Sequence, residues 1–304
     1  MLTQDKVTAI FCITDEFCKK FAVEFQNHSK LPQADKASRN RSGQLSESEI
    51  MTILILYHFG QFKNFKAYYL HYIRVHLKKE FPNAVSYSRF IQIEHKVFIP
   101  MMYFLNMARF GRCTGITFVD STKIAVCHTK RITRNKVFQD IAKLGKSSMG
   151  WFYGFKLHFA CNDRGEILSF CLTPGNVDDR DPDTIKTLTK KLYGSLFADK
   201  GYVSQALFEM LFNDGVHIVT GIRSKMKNKL MPLRDKILLR KRSIIETIND
   251  MLKNICDVEH TRHRSVHNFI MNLISALAAY SFFDKKPAIK VEREEPVGQL
   301  CLFV

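Results

Sequence analysis

Near Gly115 the chain changes texture. Before it, Val7, Ile10, Phe11, Thr14, Phe17, Cys18 and Phe21 recur at helical spacing. A polar, basic connector follows, and the next helix has a sharp start. Ser46 and Glu49 form an S-x-x-E capping box, flanked by the hydrophobic staple pair Leu45 and Ile50. That helix runs through EIMTILILYHF to Gly60, and further helical patterns cover about Asn64 to Phe81 and about Ser86 to Asn106. After Gly115 the runs ITFVD, FYGFKLHFACN, EILSFCLTP, SLFAD and HIVTGI are short, β-branched or aromatic, and bounded by turn residues. Between them lie helical patterns over Pro182 to Leu192, with Asp181 as N-cap, and over Ser204 to Phe212; a long helix is predicted from about Leu233 to Cys256. The order β-β-β-α-β-α-β-α predicts a mixed α/β sheet covered by helices. Residues 1–110 then form a helical region for DNA binding or dimerisation, 111–284 an α/β domain, and 285–304 a loosely ordered tail. Helix packing needs no recognition role, so a helix-turn-helix reader and a dimerisation module are both open for the first region.

Composition narrows the partners. Of 304 residues, 46% are hydrophobic, which excludes disorder for most of the chain. The net charge of +17 favours a polyanion, either nucleic acid or an anionic membrane surface. The most apolar run, Phe269 to Phe283, is interrupted by Asn272, Ser275 and Ser281 and falls short of the about 20 residues a span requires. It reads as a buried helix, and the first residues lack a signal-peptide pattern. The eight cysteines form no C-x-x-C pair, which suits free thiols in a reducing cytosol rather than a zinc site or a disulfide framework. The expectation is a cytoplasmic protein without a membrane partner.

The acids carry the chemistry. Asp120 ends ITFV and Asp199 ends SLFA, so both are predicted to leave strand ends into the crevice beyond the sheet. Two adjacent carboxylates repel unless a cation neutralises them, and oxygen-only ligation suits Mg2+ or Mn2+. Taken singly, each is also an ordinary strand-end turn residue. In the long helix Arg242, Glu246, Asn249 and Lys253 share one face, opposite Ile244, Ile245, Ile248 and Leu252. An exposed Arg–Glu pair is the plain reading of that stripe.

FVDST at 118–122, FADKGY at 197–202 and R-x3-E-x6-K at Arg242, Glu246 and Lys253 resemble the DDE transposases of bacterial insertion sequences. GWFYGFKLHFACNDRGEILSFCLTPGNVDDRD between the first two acids, and the EHTRHRS…NFIMNL…AAYSFF ending, are similar as well. The resemblance covers roughly Gly115 to Asp284. It implies a ribonuclease H-like core in which Asp120, Asp199 and Glu246 are catalytic and hold two Mg2+ (or Mn2+) ions. It also implies cleavage at element ends, 3′-OH transfer into target DNA, a homodimer in the end-paired complex, and a bacterial, nucleoid-associated location. Two departures stand out. Leu239 occupies the place where the signature often has tyrosine, and the short Asp199–Glu246 spacing leaves no room for the β-rich insertion of some relatives.

Basic residues cluster where DNA is expected. Lys130, Arg131, Arg134, Lys136, Lys143 and Lys146 fall in a loop-like stretch, and Arg223 to Arg242 carries nine cations with only Asp235 among them. Expected DNA contacts are Arg242, Lys253, Arg131, Arg134, Lys136, Lys156, Lys200, Arg262 and His263. Asp178, Asp179 and Asp181 are rival acids, though helix capping accounts for Asp181. Trp151 is expected to pack at a strand start, with base stacking as the alternative. Another ribonuclease H-like nuclease, or an inactive DNA-binding regulator derived from a transposase, remains an open alternative.

Overall fold

A computed structural model describes residues 2–28, 44–60, 62, 64–148, 150–222, 226, 230–259 and 263–290. The helical first third opens with α1 (Gln4–His28) and α2 (Glu47–Tyr57). The predicted capping box closes in both directions: Glu49 N–H donates to the Ser46 hydroxyl at 3.2 Å, and Ser46 N–H donates to the Glu49 carboxylate at 2.7 Å. Two expected helices are segmented instead of continuous. α3 (Phe65–Ala67) widens into a π-helical stretch, Tyr68–His76, whose fully buried Tyr68 donates its hydroxyl to Ile53 O at 2.9 Å. The next pattern resolves into α4 (Tyr87–Ile93), a 3-10 turn (Glu94–Val97), α5 (Phe98–Phe104) and a second π stretch, Leu105–Arg109. Pro100 has no N–H for the Lys96 carbonyl four residues earlier, which accounts for the interruption there.

The sheet is mixed, as its alternating elements predict. Strands β1 (Ile116–Cys127), β2 (Lys143–Ser147), β3 (Gly150–Asn162), β4 (Ile167–Pro174), β5 (Gly194–Ala198) and β6 (Val216–Thr220) form one six-stranded sheet. β3 pairs antiparallel with β1 on one side and with β2 and β4 on the other, while β1, β5 and β6 pair in parallel. Antiparallel strands on one side and parallel strands on the other give the ribonuclease H-like arrangement. The loop-like reading of the first basic cluster needs correction, because Lys143–Ser147 is a strand and Thr129–Arg134 a 3-10 turn. At Gly194 (φ +81°) the chain passes so close to Gly115 that an added Cβ would meet its carbonyl oxygen at 2.5 Å, so this crossing needs glycine.

Strand alternation sends the two faces to different cores. Phe118 and Phe197 stack at 5.4 Å in the larger core, shared with α2, α5, α9 (Ser243–Asn254) and α10 (Val266–Ser281). Val119, Leu196 and Ala198 face the other way, under α6 (Pro182–Thr189) and α7 (Gln205–Asn213). The larger core is continuous from the N-terminal helices into the sheet. The expected long helix is broken: α8 (Leu233–Arg240) ends at a turn over Lys241–Arg242 before α9 begins. Bonds of the tighter i→i−3 kind make that turn, Arg242 N–H to Leu239 O and Ile244 N–H to Lys241 O. Beyond α10, Ile289 N–H donates to Asp163 O at 2.8 Å, so the chain is still tied to the sheet at that point. Among the described residues no helix is long and apolar enough to cross a membrane.

Candidate active site

Asp120 and Asp199 occupy matching places on the two central strands. The parallel pairing of β1 and β5 ends at Phe118 opposite Phe197, and each acid follows two residues later. Asp199 leaves the end of β5 as predicted. Asp120 does not end β1, because the strand continues to Cys127 paired only with β3. It opens onto the crevice because β5 has stopped beside it.

Two-residue periodicity puts Asp120 on the same face as Phe118, the face that α9 covers. α9 buries Ile244, Ile245, Ile248 and Leu252 and turns Asn249 toward β1. Asn249 Nδ2 donates to Asp120 Oδ2 at 3.4 Å. The break before α9 places Arg242 at its N-terminus. The Arg242 guanidinium lies 2.8 Å from Glu246 Oε1, 3.8 Å from Asp120 Oδ2 and 3.9 Å from Asp199 Oδ1. Three carboxylates from three elements thus converge on one cation.

Their environments differ. Asp120 is largely buried, and desolvation raises its carboxyl from 3.8 to about 6, with the Arg242 charge opposing that rise. Asp199 and Glu246 are more than half exposed. Among the described residues no three His, Cys, Asp or Glu side chains are close enough to close on an ion as they stand; the acids are spread around Arg242. Their chemistry nevertheless fits a hard divalent cation. All three donors are carboxylate oxygens, they already share a positive group, and the buried one lacks a full counter-charge.

A second network lies beside the first, and sequence reasoning missed its centre. Asp179 accepts from the Ser121 hydroxyl at 2.9 Å and from Lys156 Nζ at 3.0 Å. Lys156 also donates to Val177 O at 2.8 Å. His158, fully buried, bonds Thr173 through Nε2 at 2.8 Å, and desolvation lowers it to about 4, so it is neutral near pH 7. Asp179 therefore fixes the residue next to Asp120. The only hint in the sequence was its place in a run of rival acids. Its neighbours behave differently: Asp181 caps α6 through Thr184 N–H at 3.0 Å, and Asp178 pairs with Arg180 at 2.9 Å.

The expected DNA contacts divide. Arg131, Arg134 and Lys136 are exposed and, among the described residues, make no ion pair. Lys200 is exposed beside Asp199, its stem against Gly221. Lys156 and Lys253 are committed within the chain instead. Lys253 pairs at 3.2 Å with Glu259, whose other oxygen accepts from Ala125 N–H on β1. His263 rests edge-on against Phe269 at 5.5 Å. Arg262 lies outside the described residues, as do Arg223, Lys225, Lys227 and Lys229 of the second basic run. Trp151 is 61% exposed with Lys146 5.8 Å above its ring, which corrects the expectation that it is packed. Tyr202, after Asp199, is buried.

The mixed sheet thus carries two carboxylates beyond the paired ends of its central strands, with a third on the covering helix. Residues 110–266 match the transposase DDE domain family, and the chain belongs to that family. It is therefore a DNA transposase, a polynucleotidyl transferase of a family that uses divalent metal ions. Among solved structures, a piggyBac transposase synaptic complex with hairpin DNA is similar at 10% identity and a TM-score of 0.42, covering 92% of this chain and 72% of that one. No curated protein matches.

Proposed function

We propose that this transposase cuts DNA at the ends of an insertion sequence and joins the freed 3′-OH to target DNA, with Asp120, Asp199 and Glu246 as its catalytic acids. The convergence of the three carboxylates on Arg242 carries the reading. The acids would hold divalent cations, Mg2+ or Mn2+ and two in number, which supply Lewis-acid activation at the phosphodiester when bound.

The chain's own residues do the rest. Asn249 and Arg242 hold the Asp120 carboxylate toward the crevice, and Ser121, fixed by Asp179, keeps that point of β1 from shifting. Arg242 brings positive charge to the place where a scissile phosphate meets three negative groups. Arg131, Arg134, Lys136 and Lys200 contact phosphates along the duplex, which gives affinity without sequence information. Lys156 and Lys253 position the sheet and α9. In the first step water displaces the 3′-oxygen of the element end, and in the second that 3′-OH displaces a 3′-oxygen of the target, so no covalent enzyme intermediate arises. The helical region 1–110 serves end recognition or dimerisation, and the active assembly is a homodimer on paired ends in the bacterial cytoplasm, close to the nucleoid.

A strand-transfer assay with the inverted repeats flanking the gene, target plasmid and Mg2+ tests this. Joined products carrying the element's 3′ end are expected. Nicking without joining, under conditions where the ends are bound, would leave a nuclease and remove the transfer step.

A further inference from the structure

A cavity of about 700 Å3 lies between the N-terminal helices and α10, and none of its walls includes the acids or Arg242. It is large enough for a small-molecule ligand. Its least expected lining group is Glu94, which is 3% exposed and, among the described residues, has neither a hydrogen bond nor an ion pair. Desolvation alone holds its carboxyl up at about 8, so near pH 7 it is neutral and offers one O–H donor beside one carbonyl acceptor. From α10, Asn272 and Ser275 line the same space, and Asn272 Nδ2 and Ser275 Oγ are buried at its wall with no partner. Left unmet, such groups cost folding free energy, and they are retained where a ligand completes them.

The remaining walls narrow the ligand class. Tyr57, Phe65 and Tyr87 supply aromatic rings. At the rim, Lys66 lies 6.0 Å over the Tyr87 ring and Arg264 is exposed. Rings, neutral donor–acceptor groups and flanking cations form a combination suited to a nucleobase carrying a phosphate. A neutral carboxyl complements an edge with a ring-nitrogen acceptor beside an exocyclic amine. Adenine and cytosine have that edge; thymine does not.

We propose that this cavity binds the base of an unpaired adenine or cytosine nucleotide, edge-on to Glu94 and Asn272, with its phosphate at Lys66 and Arg264. The nucleotide comes either from a DNA strand or free in solution. The site is separate from the acids, so its test reads binding and not cleavage.

The full-length chain is titrated with labelled duplexes that are fully paired or carry one unpaired dA, dC or dT, and separately with dAMP. An unpaired dA or dC is expected to tighten binding about tenfold or more over the paired duplex, the size of one stacked base, and dT to add little. Saturable dAMP binding without that preference would support the site and assign a free nucleotide to it. Glu94→Leu and Asn272→Leu should each erase the effect, whereas Glu94→Gln, which keeps a neutral donor and acceptor, should retain it. Paired-duplex affinity serves as the folding control. If Glu94→Leu loses it, the half-buried Asn272 position decides. Equal gains for dA, dC and dT, variants that leave the preference intact, or absence of both preference and dAMP binding would overturn the proposal.

Discussion

Replacing Asp120 by asparagine should stabilise the metal-free protein at neutral pH. Burial holds the Asp120 carboxyl at about 6 against an ordinary 3.8. Between those values the folded chain keeps a proton that the unfolded chain has released, so stability falls as pH rises through that window and is level above it. The gap, at about 1.4 kcal/mol per pH unit, amounts to about 3 kcal/mol lost by neutral pH. The opposing pull of Arg242, 3.8 Å away, is already contained in the raised value. Asparagine has no charge to bury and can still accept from Asn249. Urea unfolding of both proteins in chelator should therefore show the variant ahead by about 2–3 kcal/mol at about pH 7.5 and level with wild type at about pH 3.5. A variant that is less stable at neutral pH, or a difference of the same size at both pH values, would refute the idea that desolvation of this carboxylate dominates. The stability gained at the cost of function would mark Asp120 as a strained site group.

Other perturbations follow from the same geometry. Arg242→Gln leaves three carboxylates facing one another; two are more than half exposed, so after solvent screening a loss of about 1 kcal/mol is expected in chelator at low salt, largely recovered in about 1 M salt, by thermal unfolding. Asp179→Asn removes the negative charge facing the Lys156 ammonium, leaving it only neutral acceptors, and should cost about 1–2 kcal/mol in urea unfolding; an unchanged midpoint would remove Asp179 from its positioning role. A fragment from Gly111 onward should aggregate or unfold, because α10 buries Leu273, Ile274 and Leu277 in the core that α2 and α5 complete, each worth about 1.5–3 kcal/mol. A monodisperse, cooperatively melting fragment would show that the catalytic part folds alone.

Much of this was legible locally. The α2 capping box, the Asp181 cap of α6 and the five apolar strand runs depend on neighbours within a few residues, and they form as read. Asp199 leaves a strand end as read, whereas Asp120 lies inside β1 and reaches the crevice only because β5 stops beside it, a feature of pairing that the local run does not show. What escaped depends on partners distant in sequence. Lys156 and Lys253 look like free cations until folding brings Asp179 and Glu259 to them. The break at Arg242 follows no glycine or proline; the turn is visible only once that guanidinium lies among the acids. β2 was hidden because KLGKS buries only Gly145 and exposes Leu144, so no apolar alternation marks it.

In the proposed mechanism Asp120, Asp199 and Glu246 act as one metal-dependent site. Its most direct test is Mg2+-dependent strand cleavage at the element ends by Asp120→Asn, Asp199→Asn and Glu246→Gln, each beside wild type and with end binding measured in parallel. All three variants are expected to bind ends, and none to cleave detectably. Cleavage near the wild-type rate by any one of them would contradict that mechanism.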